Sequence, residues 1–308
     1  MAEANPRRGR LSRAIGYVLD ASISVPVVDY WLSRVNPILS WDRPLARVIS
    51  RKQIGPEAVT LVLECNRHCP KVLPGQHVDV IVEVDGRRLK RCYSPSMGVK
   101  GQLSLSLKTV EGGRVSRHSC ENIRVGDVVE LSAAYGDMVL PSHGEWVFAA
   151  AGSGITPLVS MIRALASQGM PFPITLMYWA RREVELWFAE ELRALASQHP
   201  NLNVFFYTTR EISPRADVRT GRLNAVQLEQ AIGDLSRHHV YACGSADFVE
   251  AVRELMAPVA ASFMAEAFSL PVMPIEEDGE VSVHLSRQGV TLTLPRGQTL
   301  LTALEAAG

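Results

Sequence analysis

Two unlike patterns follow one another along this chain, and together they predict a small antiparallel β-barrel joined to a parallel α/β domain. Three observations carry the prediction. Between about Leu45 and Leu140, short runs of alternating apolar and polar residues are punctuated by Gly and Pro. After Pro141 the apolar runs become continuous and take turns with helical stretches. Beyond Pro271 a last hairpin pattern is followed by one more helical run. The chain of 308 residues divides accordingly into an extension (1–44), a barrel (45–141), an α/β domain (142–270) and a final piece (271–308) too short for a core of its own.

In the barrel region Val59–Glu64, His77–Val84 and Leu103–Lys108 have the two-residue period of half-buried strands. Asp85-Gly86 separates the second of these from Arg88–Ser94 and reads as a hairpin turn. Many closely spaced strands of this kind are the pattern of an antiparallel barrel. In the next region Trp146–Ala151, Ile174–Trp179, Val204–Thr208 and His239–Ala242 are continuous apolar strands. Helical runs over Leu158–Gln168, Val184–Ala196, Ala225–Ile232 and Ala246–Met256 alternate with them, which predicts a parallel sheet. Glu280–Leu285 and Val290–Leu294 form a last hairpin around Ser286–Gly289, followed by a helix over Thr299–Ala307.

Composition narrows the function classes. Hydrophobic residues are 47% and charged residues 21%, a globular composition. Lys plus Arg equals Asp plus Glu at 32 each, so no overall field draws the chain to nucleic acid. Cys65, Cys69, Cys92, Cys120 and Cys243 are odd in number and scattered, which excludes a disulfide scaffold and fits a reducing, cytoplasmic compartment. None of them has metal-ligand spacing; Cys65 and Cys69 are a lone pair. Nothing at the start reads as a signal peptide. The apolar stretch Ala14–Leu32 contains Asp20 and Asp29, too costly for a membrane span. Arg7, Arg8, Arg10 and Arg13 before Ile15, Val18, Leu19, Ile23 and Val25 fit either an interfacial amphipathic segment, touching the inner membrane face peripherally, or an extension packed on the body.

The chemistry-bearing feature is Gly152-Ser-Gly-Ile-Thr-Pro157, between the first continuous strand and its helix. Its glycines permit close backbone approach, Thr156 suits an N-cap, and Pro157 suits the first helical position. Exposed amides and the helix dipole favour a diphosphate there. A plain strand–helix turn has the same composition, and position after the first strand of an α/β unit is what favours a ligand.

Three motifs in order, Arg91-Cys-Tyr-Ser94, Gly113-Arg-Val-Ser116 and Gly152–Pro157, followed by Tyr241-Ala-Cys-Gly244 and Glu266-Ala-Phe268, make residues from about Leu45 to Leu270 resemble the ferredoxin–NADP reductase superfamily. The hairpin and Gly297–Gly308 resemble the opening of a plant-type [2Fe–2S] ferredoxin domain, a partial β-grasp. The cluster cysteines of such domains follow the point where this chain stops, so the resemblance implies truncation of a longer protein.

The resemblance implies roles. Arg91 would bind flavin phosphate, Tyr93 would stack on the ring and the Ser94 hydroxyl would meet N5. Backbone near Lys108 would touch the ring edge, while Gly113 and Ser116 would hold the diphosphate. Gly152, Gly154, Ile155, Thr156 and Pro157 would receive the pyridine nucleotide. Cys243 and Gly244 would lie beside the nicotinamide, and Glu266 and Phe268 would cover the flavin face. Ser94, Thr156, Cys243 and Glu266 would set geometry and polarity for hydride transfer. Thr209 and Arg210, with Arg181 and the nearby Arg215, Arg219 and Arg222, would form a 2′-phosphate pocket, favouring NADPH over NADH. FAD is favoured over FMN by Pro95 after the Arg-x-Tyr-Ser motif. Cys92, alternating with Arg91 and Tyr93, reads as a packing residue. The implied partners are an iron–sulfur carrier or ferredoxin domain and then an oxygenase or a membrane fatty-acyl desaturase. A non-catalytic flavin subunit and a free flavin or quinone reductase are the alternatives.

Overall fold

The computed structural model describes residues 24–98, 101–269, 279–286, 288–297 and 300–307. They fall into two compact units, one of the described residues between 24 and 269 and one of those between 279 and 307. The basic residues ahead of Ser24, and Asp20, lie outside the described residues.

Alternation builds the first part of the larger unit. Strands β1 (Leu45–Gly55), β2 (Ala58–Cys65), β3 (Val78–Val84), β4 (Arg87–Tyr93), β5 (Ser96–Met97), β6 (Leu103–Lys108) and β7 (Val128–Leu131) form one antiparallel sheet ordered β4-β3-β7-β1-β2-β6-β5. The ladder is open between β4 and β5, a half-barrel. Inward positions such as Val48, Leu61, Leu63, Val78, Val80, Leu105 and Leu107 are sealed in its core. Asp85 and Gly86 both take positive φ, 52° and 71°, the turn whose twist matches a two-residue hairpin. Ahead of the barrel runs helix α1 (Val25–Val35). Asp29, the residue that argued against a membrane span, accepts hydrogen bonds from the Ser40 hydroxyl and the Trp41 amide (2.7 Å), so it pins α1 to the segment entering β1. Among the described residues no helix is long and apolar enough to cross a membrane. Helix α2 (Arg114–Glu121) lies between β6 and β7.

The second part is a six-stranded parallel sheet of β8 (Glu145–Ala151), β9 (Ile174–Ala180), β10 (Leu202–Thr208), β11 (Val218–Thr220), β12 (His238–Gly244) and β13 (Ser262–Ala267). Helices α3 (Ile155–Ala166), α4 (Ala189–Gln198), α5 (Ala225–Ala231) and α6 (Ala246–Met256) connect the strands. The order β11-β10-β9-β8-β12-β13 reverses direction at β8, so the crevice at the carboxyl ends of β8 and β12 is the topological switch point, where such sheets take ligands. Both sheet faces are covered, which explains the continuous apolar runs: every residue of β9 is buried.

Two local expectations are corrected. The run over Val184–Ala196 is not one helix: a 3-10 turn (Glu183–Glu185) precedes α4, and Phe188 between them adopts a left-handed conformation with φ 61°. The break is imposed by the core, because the Trp187 amide donates to the buried Tyr178 hydroxyl at 3.1 Å. Thr156 is not the N-cap of α3 either. A 3-10 turn (Gly152–Gly154) runs straight into the helix, Gly154 occupies the cap position, and the Thr156 hydroxyl donates to the Ser153 carbonyl at 3.1 Å.

In the smaller unit β14 (Glu280–Leu285) and β15 (Val290–Pro295) pair antiparallel, and α7 (Leu300–Ala307) follows. Leu294 and Ala303 are its buried apolar residues.

Gly154 shows how tightly the switch point is built. A Cβ there would stand 2.1 Å from the Cys243 carbonyl oxygen and 2.7 Å from the Gly244 nitrogen. Gly154→Ala therefore forces α3 away from β12, and overpacking of this kind costs about 1–3 kcal/mol or more. Thermal unfolding is expected to show a melting temperature lower by several degrees, whereas Gly152→Ala, with open space at its Cβ but a φ of +55°, pays only backbone strain.

Candidate active site

The site is assembled from strand ends. The turn after β8 meets the end of β12, where Gly154 lies on the Cys243–Gly244 backbone and a Cβ on Gly244 would touch Phe248 and Ala151. One strand further, Glu266 is the register partner of Cys243, and the Phe268 amide donates to the Gly244 carbonyl at 2.8 Å. Phe268 is 45% exposed, a ring held at the edge of the crevice. The Cys243 thiol lies beneath this surface. It is fully buried, donates to the Met138 sulfur at 3.5 Å, and burial pushes its titration far above the usual thiol range, with Glu266 adding to the shift.

On the barrel, the residues expected to meet a flavin are Arg91, Tyr93 and Ser94. Arg91 is exposed and, among the described residues, its guanidinium donates only to the Lys90 carbonyl (2.7 Å), which leaves most of its fork unused there. Tyr93 is half-buried on the barrel core, and burial pushes its phenol up to about 12. Ser94 is only 7% exposed as a residue, but its hydroxyl has no hydrogen-bond partner among the described residues and its oxygen reaches the surface. The Lys108 side chain is not free in solvent; its ammonium donates to Glu185 at 3.0 Å. Gly113 is the cap residue of α2, but its amide donates to the Val110 carbonyl. The Ser116 hydroxyl donates to the Gly113 carbonyl and accepts from the Val110 amide. Those groups are spent on the turn, and the donors left at that helix start are the amides of Arg114, Val115 and Ser116.

At the far edge of the sheet the Thr209 amide donates to the Ala180 carbonyl and the Arg210 amide to the Arg181 carbonyl, which sets Arg181 and Arg210 side by side at the ends of β9 and β10. Among the described residues neither has a carboxylate partner. Arg215, from the same loop, is instead committed to Asp217 and Glu190, and Arg219 lies over the Phe205 ring at 4.8 Å.

Residues 45–139 match the oxidoreductase FAD-binding domain family, and residues 148–254 match the oxidoreductase NAD-binding domain family. The first ends at the last barrel connection and the second spans the switch-point crevice. The chain is an NAD(P)H-dependent oxidoreductase of the ferredoxin reductase type. It is 26% identical over 300 residues to an NADPH oxidoreductase of Mycobacterium tuberculosis, covering 94% of this chain and 76% of that protein. It is 33% identical over 186 residues to methane monooxygenase component C of Methylosinus trichosporium, covering 58% of this chain but only 54% of the relative. A ferredoxin NADP+ reductase from Neisseria gonorrhoeae, solved with FAD and NADP, shares the fold with a TM-score of 0.64 at 19% identity over 74% of this chain and 99% of that one.

The residues of this reductase fit both groups that its domains imply. The Gly152 turn is open on its outer side, while its inner side is closed by β12, a cradle for a diphosphate. The unused Arg91 fork and the unpartnered Ser94 hydroxyl are the matching features of the flavin half. Sequence reasoning missed the barrel residues that surround Glu266. His77 Nδ1 lies 3.7 Å from a Glu266 carboxylate oxygen, and the Tyr135 ring packs edge-on to His77 at 4.5 Å. Asp137 adds negative potential. A lone His ahead of a strand carries no signal in sequence, because its partner is nearly two hundred residues away across the fold. Cys92 is a further correction: it does not pack inward but is exposed opposite Asp79, which accepts from Lys90 and Tyr135, so this position of the ladder lies on a polar surface and not on the apolar core.

Burial, reinforced by Asp137, pushes Glu266 up to about 7 from 4.5. A carboxyl raised in the folded state binds its proton more tightly there, so it favours folding below the unfolded value and that contribution is lost as pH rises through the folded one. His77 is shifted down from 6.5, chiefly by burial, and acts in the opposite sense below that value, so the test is a difference between variants. Glu266→Gln is expected to become more stable relative to the parent as pH is raised from about 4.5 to about 7 and to hold that margin above it. Denaturation midpoints at several pH values measure this; a margin that does not change with pH contradicts the assignment.

Proposed function

We propose that this reductase takes hydride from NADPH onto FAD and passes electrons singly to an iron–sulfur carrier that serves a terminal oxygenase. One observation carries the reading: Glu266, at the crevice end of β13, is set against His77 of the barrel, so barrel and sheet meet one strand away from where Gly154 packs on β12. Bound FAD would supply hydride acceptance followed by one-electron release. The protein's own contribution is binding and orientation. The amides of the Gly152 turn and of the first turn of α3 would hold the nucleotide diphosphate, with Thr156 folded back on Ser153 to keep that turn rigid. Arg91 would grip the flavin phosphates, Tyr93 and Phe268 would flank the ring, and Ser94 would offer its hydroxyl at the reacting edge. Glu266, neutral at the lower end of the working range, would present a protonated carboxyl beside the transfer path and a carboxylate at the upper end. The family to which methane monooxygenase component C belongs by similarity supports the oxygenase partner, and the mycobacterial relative's name supports NADPH.

Arg181 and Arg210, side by side at that edge and without carboxylate partners among the described residues, are the residues for the 2′-phosphate, with the Thr209 hydroxyl beside them. Rapid mixing with NADPH and with NADH, following loss of flavin absorbance, tests the reductase reading, and no bleaching with either overturns it. Arg210→Ala is expected to weaken NADPH about tenfold, the worth of one charge-assisted phosphate contact, and to leave NADH within about twofold.

A further inference from the structure

Tyr178 is out of place on purely apolar grounds. It sits in the middle of β9, fully buried among Ile155, Leu176 and Phe206, where a hydroxyl without partners would cost several kcal/mol. It is satisfied from two directions. Its hydroxyl accepts from the Trp187 amide at 3.1 Å, and its proton faces the carbonyls of Gly152 at 3.1 Å and Glu185 at 3.3 Å. Burial raises the phenol, so this proton is kept throughout the working range. The ring thus ties the backbone of the nucleotide turn to the segment 183–188.

That segment bridges to the barrel. The Glu185 carboxylate accepts from Lys108 at 3.0 Å on the flavin side and from Arg182 at 3.1 Å on its own side. Burial alone would raise it, but the hydrogen bonds from Lys108 and Arg182 outweigh burial and hold it below the usual carboxylate range. Its side chain is only 13% exposed, so this pair is far less screened than a surface bridge. Next to it Trp187 closes on the β1–β2 turn, where a Cβ on Gly55 would stand 3.1 Å from the indole nitrogen. Arg163, on the helix that the Gly152 turn launches, completes the seam: it donates to Ser96 of the barrel at 2.7 Å, grips Glu191 through two bonds of 2.6 and 2.7 Å, and lies over the Phe188 ring.

We propose that Tyr178 and Glu185 are positioning residues, which link the Gly152 turn through segment 183–188 to Lys108, so that nucleotide on one domain is held in register with flavin on the other. The inference rests on the reductase reading above. It predicts that a ligand at the turn is felt at the end of β6, three hydrogen bonds away.

The test uses hydrogen–deuterium exchange of the full chain with and without NADP+, which does not turn over, and then single-turnover reduction by NADPH. In the parent, NADP+ is expected to slow exchange in peptides covering the Gly152 turn and also in those covering 103–112. In Tyr178→Phe and Glu185→Gln the first protection persists and the second is lost. The same variants keep their FAD content and bind NADPH within about twofold, while the limiting rate of flavin reduction falls about tenfold, the scale of a small misplacement of reacting groups. Lys108→Gln combined with Glu185→Gln is expected to be no slower than Glu185→Gln alone. Protection at the turn without protection at 103–112 in the parent overturns the coupling and leaves the reductase reading standing. No protection at either place overturns both. Loss of FAD or of melting temperature in step with rate shows simple structural glue and also overturns the proposal.

Discussion

The contact on which the site depends is the seating of Gly154 on the backbone of Cys243 and Gly244. Two adjacent parallel strands, β8 and β12, leave the sheet in opposite topological directions, and their ends can meet this closely only if no side chain intervenes at either point. Gly154 removes one Cβ and Gly244 the other. With that approach fixed, α3 starts at the mouth of the crevice with its amides outward, and strand register carries the position one step further to Glu266. The position of the carboxyl group is therefore inherited from a glycine more than a hundred residues earlier.

A second constraint is the join between barrel and sheet. The seam combines an apolar part, where Ala58, Ile54 and Met138 join the core of the sheet, with a few directed polar contacts, Lys108–Glu185 and Arg163–Ser96, around an indole wedge. Such contacts have defined lengths and angles, and they are strong only where shielded. They suit a protein that must place two ligands bound to different domains against each other, since geometry matters there more than bulk stability.

Period and turn chemistry made most of the architecture legible. The alternation of β2, β3 and β6 is visible in sequence because one face of each is solvated, and the continuous runs of β8, β9, β10 and β12 because both faces are covered. Asp85-Gly86 is legible because few residue pairs tolerate two positive φ angles in succession. What escaped the sequence was decided by tertiary partners. Val184–Ala196 has helical periodicity, yet a buried phenol from another strand captures the Trp187 amide and splits the run. Thr156 has cap chemistry, but a preceding 3-10 turn leaves no extended residue for it to cap from. Order of motifs identified Glu266; nothing local identified His77, whose importance exists only once β3 and β13 are folded together.

The orientation of the cysteines bears on how this protein would answer chemical probes. Cys243 occupies a place in the motif that invites a reactive-thiol interpretation, yet its sulfur is sealed under Met138 and is a poor thiolate former. Cys92 is exposed on β4, between Arg91 and Tyr93 in sequence and on the opposite face of the strand. The half-buried Cys69, whose titration the neighbouring Cys65 thiol lowers, is the readiest thiolate of the set, whereas burial raises Cys92. An alkylating agent would therefore meet Cys69 first, and loss of activity on labelling would not by itself point to either motif cysteine.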